Sequence, residues 1–152
     1  MKKVFTIVSA ILMSSVTFAQ PCSELFFSEY LEGSSNNKAL EIYNPTSTPI
    51  NLSGYQVQLY SNGSATATTT LNLTGTIGAG GTFVIVNPSS NDSIKARRDT
   101  TSAVANFNGD DAIALVKSSV LLDVIGVIGT DPGTKWDVGT GSTLDYTLVR
   151  AD

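Results

Sequence analysis

The side chains with chemistry to offer in this chain are mostly carboxylates. Glu29 and Glu32 flank a polar loop, Asp110 and Asp111 are adjacent in Asn108-Gly109-Asp110-Asp111, and Asp131 precedes Pro132-Gly133. Two carboxylates in one cleft do general acid–base work, and with a bound metal such a set becomes a hydrolase. No spacing among these five marks a site of that kind. Histidine is absent, which removes the usual general base, the usual zinc ligand and any serine–histidine mechanism. Calcium wants about six to eight oxygens, and Asn108, Asp110 and Asp111 supply some of them. The sequence nevertheless lacks the spaced D-x-[DN]-x-[DN]-G loop and its distant glutamate. A turn is the simpler reading: Gly109 at positive φ, Asn108 or Asp110 bonding nearby amides, and Asp111 leading into a buried strand. No catalytic residue, metal or cofactor is expected.

Two further stretches invite a ligand. The glycines of Gly75-Thr76-Ile77-Gly78-Ala79-Gly80-Gly81 resemble a phosphate loop only in composition, because no lysine follows and the next residues, Thr82 to Val86, form a buried strand. Those glycines serve a corner. The irregular connection from Asn87 to Val104 is the longest in the chain and holds its basic cluster, Lys95 and Arg97-Arg98. Asp92 or Ser93 is placed to cap a short helix through Arg98. Long connections in compact domains often carry function, so Ser93, Lys95, Arg97 and Arg98 are the candidate binding residues.

The elements that must position these residues are short strands. Leu40 and Ile42 alternate with Glu41 and Tyr43, and Leu25 and Phe27 alternate with Phe26 and Ser28, a period of two that sends one set inward. Tyr55, Val57 and Leu59 repeat the pattern against Gln56, Gln58 and Tyr60. Thr66 to Leu73 suits an edge strand. Ile113 and Leu115 lead a strand that Ser118-Ser119 turns into Val120 to Ile128, predicting a central hairpin. Asp123 interrupts that second strand and must face solvent or meet a partner. A last strand is expected with Leu144, Tyr146 and Leu148 on one side. Ile42 and Leu115 are predicted core.

The chain opens with Lys2 and Lys3, an uncharged run from Val4 to Phe18, and Ala19 before Gln20. This fits a secretory signal peptide of residues 1–19, and the run is too short for a membrane span, so no span remains after its removal. The mature domain would be residues 20–152. Gln20 and Pro21 do not make a lipid-attachment site in front of Cys22. As the lone cysteine, Cys22 forms no internal bridge; the simplest reading is a free thiol near a terminus. Removing Lys2 and Lys3 takes the formal charge from −4 to −6, which argues against nucleic acid as a partner, since phosphate binding draws on clustered Lys and Arg.

Ser28-Glu29-Tyr30, then Glu32-Gly33-Ser34-Ser35-Asn36-Asn37-Lys38-Ala39-Leu40-Glu41-Ile42-Tyr43-Asn44, resembles the opening of the lamin tail domain as it occurs in secreted bacterial proteins. Asn51 to Tyr55, Asn106 to Lys117, Asp123 to Gly129, Asp131-Pro132-Gly133 with Trp136, and Thr147 to Arg150 resemble later landmarks of that family. The resemblance implies an all-β, immunoglobulin-like sandwich, where composition alone allows sandwich or barrel. It also implies a secreted or cell-surface binding or adhesion module whose partner is a protein or extracellular polymer. Such domains accompany extracellular enzymes or surface proteins, and a structural element of the cell envelope is the alternative. The family offers no enzymatic residues to carry over.

Overall fold

The structure is a computed structural model that describes residues 23–151. The expected signal peptide and Cys22 lie outside the described residues. Alternation builds two main sheets. The first runs in the order Thr147–Val149 (β13), Phe26–Glu32 (β1), Lys38–Tyr43 (β2), Thr82–Val86 (β7) and Thr100–Thr101 (β8). The second runs Val120–Ile125 (β10), Ala112–Lys117 (β9), Tyr55–Tyr60 (β4) and Thr69–Asn72 (β5). Two small ribbons, Ile50–Asn51 (β3) with Thr76–Ile77 (β6) and Asp137–Val138 (β11) with Gly141–Ser142 (β12), complete the strands. Among the described residues every pairing is antiparallel except β7 with β8. One helix, Asp92–Lys95 (α1), joins β7 to β8.

The inner faces meet in one core. Phe27, Tyr30, Leu40, Ile42 and Ile85 come from the first sheet, and Tyr55, Val57, Leu59, Ile113 and Leu115 from the second. Val104, Ala105 and Phe107, in and after a short 3₁₀ turn, add to the same core. Ile42 and Leu115 are completely buried. Each fully buried side chain of this size contributes ~1.5–3 kcal/mol of hydrophobic stabilisation. The protein is thus an immunoglobulin-like β-sandwich.

A bulge in β1 decides what that strand shows to each side. Phe27 pairs with Ile42, but the next pair is Glu29 with Glu41, leaving Ser28 over. The extra residue puts Phe27, Tyr30 and Glu32 all on the buried side and leaves Glu29 exposed. Beyond it, Tyr30, Leu40 and Ile85 form an inner row, while Leu31, Ala39 and Val86 form the row that alternates with it.

Three expectations about local structure change, and the Ser118-Ser119 turn shows how it is made. β10 pairs only with β9 and is a sheet edge, so the hairpin is not central. The Ser118-Ser119 turn works without glycine because both serines take positive φ, 48° and 69°, the conformation a tight two-residue hairpin requires. The last strand is only Thr147–Val149, since the β11–β12 ribbon and Asp145 at φ 59° interrupt the chain, and Leu144 and Tyr146 are exposed. Asn91, rather than Asp92 or Ser93, caps α1 through its Oδ1, which accepts from the Ile94 N–H at 3.0 Å.

The edge position of β10 leaves Val120, Leu121 and Val124 exposed. A second bulge, between Leu121 and Asp123, breaks the ladder there. Asp123 meets the partner expected of it twice over: its carboxylate takes both contacts of Arg150 Nη2, at 2.8 and 2.6 Å, and the Phe27 N–H at 2.8 Å. This ties the edge of one sheet to the edge of the other. Bulges and inward charges are common ways to blunt an edge strand.

Candidate functional site

The outer face of β1, β2 and β7 carries a groove of about 540 Å³, and α1 forms one wall of it. The helix is held off the sheet by ties at both ends. At its start the Ser90 hydroxyl donates to the Asn36 carbonyl at 2.7 Å and the Asn91 N–H donates to Asn37 Oδ1 at 2.9 Å. At its end the Asp99 N–H donates to the Val84 carbonyl while Asp99 Oδ2 accepts from the Val84 N–H. The polar loop between β1 and β2 is therefore the support of α1 rather than a free turn.

Leu31, Ala39, Val84 and Val86 line the groove from the sheet and Ile94 lines it from the helix. Glu29 and Glu41 stand directly opposite each other across β1 and β2 and also line it. Like charges facing across a ladder are destabilising. Glu41 is eased by the Ser28 hydroxyl, which donates to its Oε1 at 2.7 Å. Among the described residues neither glutamate has a salt bridge.

The four candidate binding residues divide. Ser93 and Arg97 line the groove. Lys95 pairs with Asp92 at 3.1 Å, and Arg98 turns back to donate to the Lys95 carbonyl. The basic cluster is not one surface.

The calcium candidates divide too. Asn108 Oδ1 accepts from Lys38 Nζ at 2.9 Å. The buried Asp111 carboxylate is occupied by two backbone donors, the Asn62 N–H at 2.8 Å and the Asn108 N–H at 2.7 Å. Asp111, not Asn108 or Asp110, is the residue that holds the turn. Nor is Gly109 at positive φ; a Cβ there would sit 2.8 Å from Leu144 Cβ, so its role is close approach. Among the described residues no three acidic or cysteine side chains stand together as a metal would need. Of the acids weighed as hydrolase groups, Glu29 faces the groove, Glu32 is buried, and Asp131 Oδ1 accepts from the Gly133 N–H in its own turn.

Lys38 is the residue that sequence reasoning missed. It lies two positions before Leu40 and four before Ile42, so its phase is inward, and that signal was available. Its ammonium is buried and donates to Glu32 Oε1 at 3.3 Å, to Asn108 Oδ1 and to the Phe107 carbonyl. Tyr30 stacks on Phe107 at 4.7 Å between centroids, and its hydroxyl donates to Glu32 Oε2 at 3.2 Å. Burial raises the Glu32 carboxyl above the ordinary value, although Lys38 and Tyr30 pull it down. Burial, and then the neighbouring Glu32, hold Tyr30 far above the usual phenol range.

The Lamin Tail Domain family model matches residues 19–129. The chain belongs to that family, whose fold is immunoglobulin-like. The match covers the loop between β1 and β2, α1 and the β9–β10 hairpin, and stops before the resembling stretches Asp131-Pro132-Gly133, Trp136 and Thr147–Arg150. No curated protein matches the chain.

Proposed function

We propose that this protein is a secreted, non-catalytic binding module that uses the groove beneath α1 to hold a segment of a protein or extracellular polymer. The observation that supports this most is the pairing of an apolar floor with two facing glutamates that make no salt bridge among the described residues. Leu31, Ala39 and Val84 suit an extended, partly apolar segment, and Glu29 with Glu41 favours one that carries a cationic group. Recognition sites of this size are mostly apolar with a few placed polar groups. The net negative charge disfavours nucleic acid. Among the described residues no helix is long and apolar enough to cross a membrane.

Ala39→Arg tests the groove, because it fills the floor from a half-buried outer position and leaves the core alone. A panel of extracellular polysaccharides and cationic peptides should retain the protein, and the Ala39→Arg form should lose that retention with an unchanged melt. Equal binding by both forms would place the site elsewhere, and no binding to any panel member would remove the reading. Export is tested by mass spectrometry of secreted material, which should begin at Gln20.

A further inference from the structure

The buried node around Lys38 brings an amine, a primary amide and a carboxyl group together beside the stacked rings of Tyr30 and Phe107. We propose that Lys38, Asn108 and Glu32 form a self-acting cross-link site, in which the Lys38 amine displaces the side-chain nitrogen of Asn108. The product is an amide joining β2 to the loop before β9. This inference is independent of the groove.

The geometry supplies each part of the step. Nζ lies 2.9 Å from Asn108 Oδ1, and the carbon it must reach is one bond further on. The Asn108 N–H is pinned to Asp111, which fixes the loop that carries the amide. Glu32 Oε1 stands 3.3 Å from Nζ, with side-chain exposures of 7% for Lys38 and 5% for Glu32. Glu32 takes a proton from the ammonium, and the freed lone pair forms a bond to Asn108 Cγ as the carbonyl electrons move to Oδ1. The intermediate then collapses: Glu32 passes that proton to Nδ2, the Cγ–Nδ2 bond breaks, and the departing ammonia takes the second proton from the attacking nitrogen by way of Glu32, which leaves a neutral amide. One C–N bond forms and one breaks, nothing is oxidised, and the nitrogen departs as ammonium. Asn108 is exposed on its outer side, which gives ammonia a way out. Holding two groups in contact this way is worth an effective concentration of ~10⁵ M or more when orientation is right. Glu32 acts here as the proton carrier, a role its raised carboxyl suits.

The test is peptide mapping of the full folded chain. Protease digestion followed by fragmentation should find a branched peptide that contains both Lys38 and Asn108, lighter than its two arms by one ammonia, with no cleavage at Lys38. Asn108→Asp should give the same branch with loss of water instead, and Glu32→Gln should stay unbranched. An unmodified Lys38 throughout the wild-type digest would overturn the proposal, whether or not the variants fold. So would ammonia loss confined to the Asn108-Gly109 peptide, which is the mark of a succinimide. A branch that persists fully in folded Glu32→Gln would remove Glu32 from the reaction.

Discussion

Lys38–Glu32 and Lys117–Glu24 join the same two kinds of side chain, the first inside the sandwich at 3.3 Å and the second at its rim at 2.6 Å. The inner pair is almost wholly covered, whereas Lys117 and Glu24 keep about two fifths of their side-chain surface in water, at 41% and 38%. Burial works to raise both carboxyls. In Glu32 it prevails; in Glu24 the hydrogen bonds from Lys117 and Tyr55 overcome it, and the carboxyl falls below its ordinary value. The shorter contact is therefore the less consequential one. What decides the cost of losing a pair is the condition of the partner left behind, and Glu24 has water where Glu32 has none.

Removing Lys38 should have the largest effect. Measured against a chain in which Lys38 is not yet joined to Asn108, Lys38→Met strands a buried carboxylate and a buried carbonyl, and breaking one side of a buried pair costs ~3–5 kcal/mol. Adding Glu32→Leu should return most of that loss in urea unfolding, because the uncompensated charge goes with it. A Lys38→Met cost within the range of a surface pair would break the comparison. Asp123→Ala comes next, since Asp123 is mostly covered and serves both Arg150 and the Phe27 N–H. Hydrogen bonds to charged groups are worth ~1.5–3 kcal/mol, and the expected loss falls in that range. Lys117→Met should cost at most ~1 kcal/mol, measured by thermal melting, and less still at high salt.

The smallest effect is one of slope with pH, and its sign separates the two glutamates. Glu32, raised in the folded state, contributes stability that is full below the ordinary glutamate value and lost as pH rises through its raised value. Glu24, lowered in the folded state, contributes stability present above the ordinary value and lost as pH falls through its lowered one. Glu32→Gln should therefore flatten the decline on the higher side of the carboxylate range, and Glu24→Gln the decline on the acid side. Stability profiles over that range that change in the same direction for both variants would refute the assignment.

The strands were legible because their alternation is local. Leu40 with Ile42, Val57 with Leu59 and Ile113 with Leu115 declare an inner face within a few residues, and all six are buried. The inward phase of Lys38 is equally legible, but a lysine is rarely buried, so alternation alone does not place it inside. Its partners were not legible. Glu32 reaches it only through the β1–β2 register, and Asn108 lies seventy positions away. The groove was hidden for the same reason: α1 stands over the sheet through the Asn37–Asn91 and Val84–Asp99 contacts, which no periodicity encodes. Trp136 shows the limit again, since its indole N–H donates to the Asp111 carbonyl across a site where Gly126 leaves no room for a Cβ.

Ser28, the unpaired residue of the β1 bulge, lets Phe27 and Tyr30 face the same side although three positions separate them. Pairing it into the ladder with no bulge would turn Glu29 and Leu31 toward the core and swing Tyr30 and Glu32 out beneath α1, whereas deleting it would make Phe27–Ile42 and Glu29–Glu41 neighbouring pairs of a regular ladder and leave every side chain facing as it does now. The bulge, and not the length of the strand, is what keeps the node around Lys38 covered while the groove beneath α1 stays open.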